Sequence, residues 1–185
     1  VARTPAVRQG ASVFSFRPTP PPQKEANMGS TITIKATAQH AGHIRNVGGV
    51  SYICAYYDAS SPASIRRGTP LVIVASTVAG VTGPQVRPAL ASAQPHEVVL
   101  AIADVFTAGY YWFALEGLVP ALVTYDASIA GGETLTLEDS GTSFVYDGSD
   151  KDANTIATAS RAMLATEEMI PVLLIGTTPV AASVM

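Results

Sequence analysis

Few groups in this chain are equipped for chemistry. Its 185 residues hold three histidines and one cysteine. His40-x-x-His43 sets two imidazoles within reach of one ion, His96 is the third, and Cys54 is the sole thiol. A zinc centre takes three or four ligands, so the pair reads as solvated turn histidines. A second group is acidic: Asp147-Gly-Ser-Asp150-Lys-Asp152, with Asn154 and nearby Glu138-Asp139. Its spacing departs from the alternating acids, central glycine and closing glutamate of an EF-hand loop. It reads as a solvated loop with a helix cap, with calcium in a non-standard loop as the alternative. Asp104 and Glu116 are a carboxylate pair that strand pairing could bring together. Nucleophile elbow, P-loop and dinucleotide fingerprint are all missing, and Val47-Gly-Gly-Val50 is a turn. The expectation is a protein that is not an enzyme and carries no metal or cofactor.

The elements that would position these groups are mostly strands, organised around Phe106 to Val123. That stretch holds the only tryptophan in Ala-Gly-Tyr110-Tyr111-Trp112-Phe113-Ala-Leu-Glu-Gly. As a strand it puts Tyr110, Trp112 and Ala114 on one face and Tyr111, Phe113 and Leu115 on the other. Both faces are apolar, so the stretch reads as a central core strand; an exposed aromatic ligand platform is the alternative. Gly109 and Gly117 bracket it as turn or bulge positions.

In chain order, Ser30–Gln39 alternates as a half-buried strand, and His40–His43 is a turn. Gly48–Tyr57 is a turn entering a second strand, followed by a polar loop over 58–68. Thr69–Ser76 is a buried strand, 80–95 is rich in turns, and Val98–Ala103 leads into the aromatic strand. Asp126–Leu137 is a glycine turn delivering another alternating strand, and Ser143–Tyr146 is a short one. From Ala153 to Met169 the period becomes helical, with Ile156, Ala159, Met163 and Leu164 on one face and Asp152 as N-cap. Pro171–Gly176 is a last buried strand. The expected fold is mainly β, with one helix in the C-terminal region and an extended N-terminal arm. Residues 1–27 form the arm, 28–176 the β-rich body and 177–185 a short tail.

The arm combines Arg3, Arg8, Arg17 and Lys24 with Pro18-Thr-Pro-Pro-Pro22 and the apolar residues Val13, Phe14 and Phe16. Proline removes backbone donors and favours extended geometry. A pure linker has no use for two phenylalanines, which points to an arm lying along a neighbouring subunit.

Composition bounds the rest. Hydrophobic residues make up 48% and charged residues 14%, with 15 Gly and 13 Pro, a composition unlike that of a disordered chain. Charge this sparse suggests a surface hidden by partners. No apolar run of about 18 residues suggests a membrane span, and Val-Ala-Arg-Thr-Pro lacks a signal-peptide core. Through Arg87 the net charge is +7, and beyond it −10. The readings of that split are internal pairing, complementary contact between identical copies, or nucleic-acid binding. The last requires a clustered basic patch, and no direct nucleic-acid partner is expected.

A family resemblance follows from several passages together. They are Arg45-Asn-Val-Gly-Gly-Val-Ser-Tyr, Ile65-Arg66-Arg67-Gly-Thr-Pro-Leu-Val-Ile-Val, Val98-Val-Leu-Ala-Ile-Ala-Asp and Ala108-Gly-Tyr-Tyr-Trp-Phe-Ala-Leu-Glu-Gly. Ala127-Ser-Ile-Ala-Gly-Gly-Glu and Pro171-Val-Leu-Leu-Ile-Gly complete the order. Over residues 45 to 176 the chain resembles the capsid decoration or cement proteins of tailed bacteriophages, by pattern and not by a diagnostic motif. The resemblance implies a β-barrel or β-sandwich body, homo-oligomers that are commonly trimers, and a place on the outer surface of the virion head. It implies the major capsid protein as partner and carries no catalytic residues. On this reading Arg3, Arg8, Phe14, Phe16, Arg17, Arg66 and Arg67 make intersubunit contacts. The rivals are a carbohydrate- or host-binding β module of a fibre or spike using Trp112 and the tyrosines, a metal-dependent hydrolase on the acidic loops, and a shell-forming capsid protein.

Overall fold

The computed structural model describes residues 34–60, 64–89, 97–138, 141–148, 155–166 and 168–175. Ten strands are found there: β1 (Ile44–Val47), β2 (Val50–Tyr57), β3 (Pro70–Ala75), β4 (Pro84–Pro88), β5 (Val98–Ala101), β6 (Gly109–Leu122), β7 (Thr134–Leu137), β8 (Phe144–Tyr146), β9 (Ala157–Ala159) and β10 (Met169–Leu174). The protein is mainly β. Among the described residues no helix is long and apolar enough to cross a membrane.

Strands β2, β4, β3, β5 and β6 pair in that order, and β6 pairs again with β2, which closes a five-stranded barrel. All its contacts are antiparallel except β2 with β4. Alternation along each strand fills the interior: Ile53, Ala55 and Tyr57 from β2, Val99 and Ala101 from β5, and Tyr111, Phe113 and Leu115 from β6. The hairpin joining β1 to β2 turns at Gly48 and Gly49, with φ of +59° and +81°. Two successive positive φ values are what a two-residue loop of the right twist demands.

β6 is 14 residues long and outruns the barrel. Gly117 to Leu122 pair with β10, which continues through β9 and β7 to β8. Val123 makes a parallel bridge back to Phe144, so the second sheet also curls toward closure. Its inner face (Val119, Ala121, Val123, Leu135, Phe144, Ala157, Ile170, Val172, Leu174) packs on Val98, Leu100 and Ala114 from the outside of the barrel. The two cores therefore share β5 and β6 as a common wall.

A register shift between Ser51 and Tyr52 leaves Leu115 as the extra residue on β6. Just beyond it Gly117 sits at φ +108°, and a Cβ there would lie 2.6 Å from the Gly49 carbonyl oxygen. Only glycine lets the hairpin come this close to β6.

The structure overturns two expectations. In place of a helix over Ala153–Met169, the described residues hold β9, paired with both β10 and β7, and then a turn. Ile156, Ala157 and Ala159 are buried by that pairing, and Leu164, assigned to the apolar helix face, is 61% exposed. Alanine-rich helix propensity is worth tenths of a kcal/mol per residue and yields to tertiary pairing. The strand over Ser30–Gln39 is reduced in its described part to a bridge at Lys35, after which Ala38–His40 form one turn of 3₁₀ helix. β4 lies within 80–95, which reads as rich in turns, and β1 fills the four residues between the His40–His43 turn and Gly48. The arm (1–27), the tail (177–185) and His96 lie outside the described residues.

Candidate protein-contact surface

The odd residues of β6 beyond the bulge point into the second core, so the even ones face outward. β10 alternates in the same way, with Ile170, Val172 and Leu174 buried. The antiparallel register then lines up the outward residues in three cross-strand pairs: Leu118 with Leu173, Pro120 with Pro171, and Leu122 with Met169. All six are apolar. Leu118 is 55% exposed, Leu173 49%, and Ile175 just beyond β10 41%. Single exposed leucines are ordinary, but here the exposed pair continues across two strands as one apolar face.

Grooves flank this strip. On one side Ile34, Val47, Tyr52, Arg67, Ile102, Leu118 and Pro120 enclose about 300 Å³. At the other end Asn46, Ser51, Glu116, Leu173 and Ile175 border a second depression. The strip thus ends at two carboxylates: exposed Glu116 on β6, and Glu168, which lies beside Met169. Glu168 Oε2 accepts a hydrogen bond from Arg66 Nη2 at 3.0 Å. Both partners are more than two-thirds exposed (70% and 75%), so this ion pair contributes little to stability.

The remaining sequence-nominated residues are dispersed. The Arg67 backbone N–H donates to Asp104 Oδ1 at 2.6 Å, while its side chain borders the groove beside Leu118. Asp104 therefore caps a turn, and Glu116 stands opposite Ser51 on β2. Tyr110 packs edge-on against Tyr56 at 5.2 Å, and its hydroxyl donates to the Thr82 carbonyl. The Tyr111 hydroxyl donates to the Thr107 carbonyl at 2.9 Å, and Phe113 is 1% exposed. Arg3, Arg8, Phe14, Phe16 and Arg17 lie outside the described residues.

Trp112 is 3% exposed on the outer wall of the barrel. The Arg45 guanidinium lies 5.0 Å from its ring centroid and His40 packs at 6.0 Å. A side chain covered in this way presents no stacking surface to a sugar. His40 and His43 stand edge to face at 6.1 Å, and His40 Nδ1 is 3.0 Å from Thr37 Oγ1. Cys54 is fully buried opposite Trp112, and burial pushes its thiol up to about 11. Among the described residues no three His, Cys, Asp or Glu side chains gather as a metal site. In the acidic loop Asp147 accepts from Thr155, and Glu138 from Ser143 at 2.6 Å; Asp139, Asp150, Asp152 and Asn154 lie outside the description.

A cleft of about 540 Å³ between the two sheets is lined by Ile65, Leu71, Leu122, Ser143 and the Arg66–Glu168 pair. Its Ser143 hydroxyl is already engaged, donating to Glu138 Oε2 at 2.6 Å and lying 2.8 Å from Thr124 Oγ1.

No family model and no curated protein matches the chain. Among solved structures it is similar to the head fiber gp8.5 N base of bacteriophage phi29, at 14% identity. The match covers 68% of this chain and 94% of that one, with a TM-score of 0.48. That level of likeness does not establish a shared fold.

Proposed function

We propose that this chain is a structural protein of a tailed-phage head, attached to the outer surface of the capsid as a homo-oligomer and reinforcing the shell by bridging major capsid protein subunits. The observation that carries the reading is the apolar outer face of β6 and β10, with Leu118 and Leu173 half exposed at one end of it. The resemblance of residues 45 to 176 to decoration proteins supports it, as does the sparse charge. A protein that binds only the assembled shell stabilises it by mass action and needs complementary surface in place of a catalytic pocket. Covering a half-exposed leucine or isoleucine contributes roughly 1 kcal/mol, so the three exposed aliphatics of the strip supply roughly 3 kcal/mol to the contact between copies on which the homo-oligomer, and through it attachment to the shell, depends.

The test is direct. Purified protein is mixed with bare and mature heads of the phage that encodes it, and occupancy is counted by negative-stain microscopy. Regular density on the heads is expected, reduced tenfold or more by Leu118→Asp with Leu173→Asp. Bare heads at saturating protein would remove the phage reading.

A further inference from the structure

We infer that the apolar strip of β6 and β10 is the receptor for the N-terminal segment of a second copy of this chain, with Phe14 and Phe16 as its anchors. This deepens, and rests on, the reading of the protein as a self-associating structural component. Three observations converge on this occupant.

The first is where the described chain begins. Lys35 bridges Tyr111 in antiparallel sense, and Trp112 donates its N–H to the Ile34 carbonyl. Moving back along the chain therefore means moving up β6, toward Leu118. At Phe113 and Ala114 that edge of β6 is taken by β5, so the pairing ends there. Ile34 lies in the groove that holds Leu118 and Pro120. Residues 1–33 thus join the described chain at the margin of the strip.

The second is composition. Phe14 and Phe16 are two apart, so an extended backbone puts both rings on one side, about 7 Å apart. That spacing suits successive outward positions of a strand, such as Leu118 and Pro120. The segment through Lys24 carries Arg3, Arg8, Arg17 and Lys24 with no acid. Its charge complements exposed Glu116 at the Leu118 end of the strip, while Glu168 at the other end is already paired with Arg66.

The third is reach, which lets the segment extend to a neighbouring copy. Phe16 precedes Ile34 by 18 positions, a span of up to roughly 60 Å if extended. The strip from Leu118 to Leu122 runs only about 15 Å. Four of the five residues from Pro18 to Pro22 are proline, which favours an extended spacer and opposes a tight return. Repeated from copy to copy, the contact is head-to-tail and closes into a ring where the rotation allows.

The experiment uses full-length protein and two variants, one with Phe14→Ser and Phe16→Ser, the other with Leu118→Asp and Leu173→Asp. Sedimentation velocity gives the assembly state, and circular dichroism melts confirm that each variant is folded. The wild type is expected to associate and each variant alone to weaken by at least ~30-fold. Mixing the two variants should restore one contact, yielding a heterodimer, since one supplies the segment and the other the strip. In a further pair of differently tagged copies, one carrying Phe16→Cys and the other Leu173→Cys, a disulfide should form between copies, with buried Cys54 as a silent background. Wild-type association of the Phe14/Phe16 variant would overturn the inference. So would a monomeric wild type, or, in a chain carrying both cysteine substitutions, a disulfide confined within that one chain. Association by this route without binding to heads would leave the inference standing and remove the phage reading alone.

Discussion

Trp112 shows how a residue type suggests a role that its surroundings then decide. An isolated tryptophan among tyrosines is compatible with a ligand platform or with a core strand, and sequence spacing is the same for both. The deciding fact is the cover provided by Arg45 and by the 3₁₀ turn carrying His40, a segment whose sequence reads as solvated. Because the ring is 3% exposed, Trp112→Ala should destabilise the fold by about 3–5 kcal/mol, measured by urea denaturation. Behind it, Cys54 gives a pH signature. Its thiol is raised by burial from 9.0 to about 11, and burial also raises Tyr52 and, with help from Asp58 and Tyr111, Tyr57. Between pH 9 and 11 the unfolded chain has lost the Cys54 proton while the folded one keeps it. Stability from this group is therefore complete below pH 9 and falls as pH rises toward 11. Cys54→Ala should flatten that part of the stability profile, and native Cys54 should resist thiol reagents that label it at once in denaturant.

At the scale of elements, the strands whose alternation or continuous apolar run is explicit were legible. β2, β3, β5, β6, β7, β8 and β10 all overlap stretches that read as strands. β4 was hidden because Pro84 and Pro88 flank it and glycines precede it, a pattern that also describes loops. β9 was hidden because Ile156, Ala159 and Met163 are buried at helical spacing for a non-helical reason: two fall beside the β10 and β7 pairing, and Met163 is reached after a bend at Ser160–Arg161. Gly117 reads as a bracket in sequence, and it is instead the point where β6 passes the hairpin and continues into the second sheet. Substituting valine there adds backbone strain and a clash with Gly49 and Val50. Gly117→Val should cost about 3 kcal/mol or prevent folding, read as a lowered denaturation midpoint.

For the whole molecule, the apolar strip was the least legible feature. Sequence shows Leu118-Val-Pro-Ala-Leu and Pro171-Val-Leu-Leu-Ile as apolar on both faces, and the simplest reading buries both. Only the register of β6 against β10, with one face given to the second core, shows that the other face is left over. The central claim is that another chain covers that face. Hydroxyl-radical footprinting of the full-length protein, resolved by residue across a concentration series, asks this directly. Phe106, 68% exposed on a loop between β5 and β6, serves as the internal reference. In the assembled protein Leu118, Leu173 and Ile175 should be modified several-fold more slowly than in dilute protein, with Phe106 unchanged. Equal modification of the strip at every concentration, and on heads, would refute that cover.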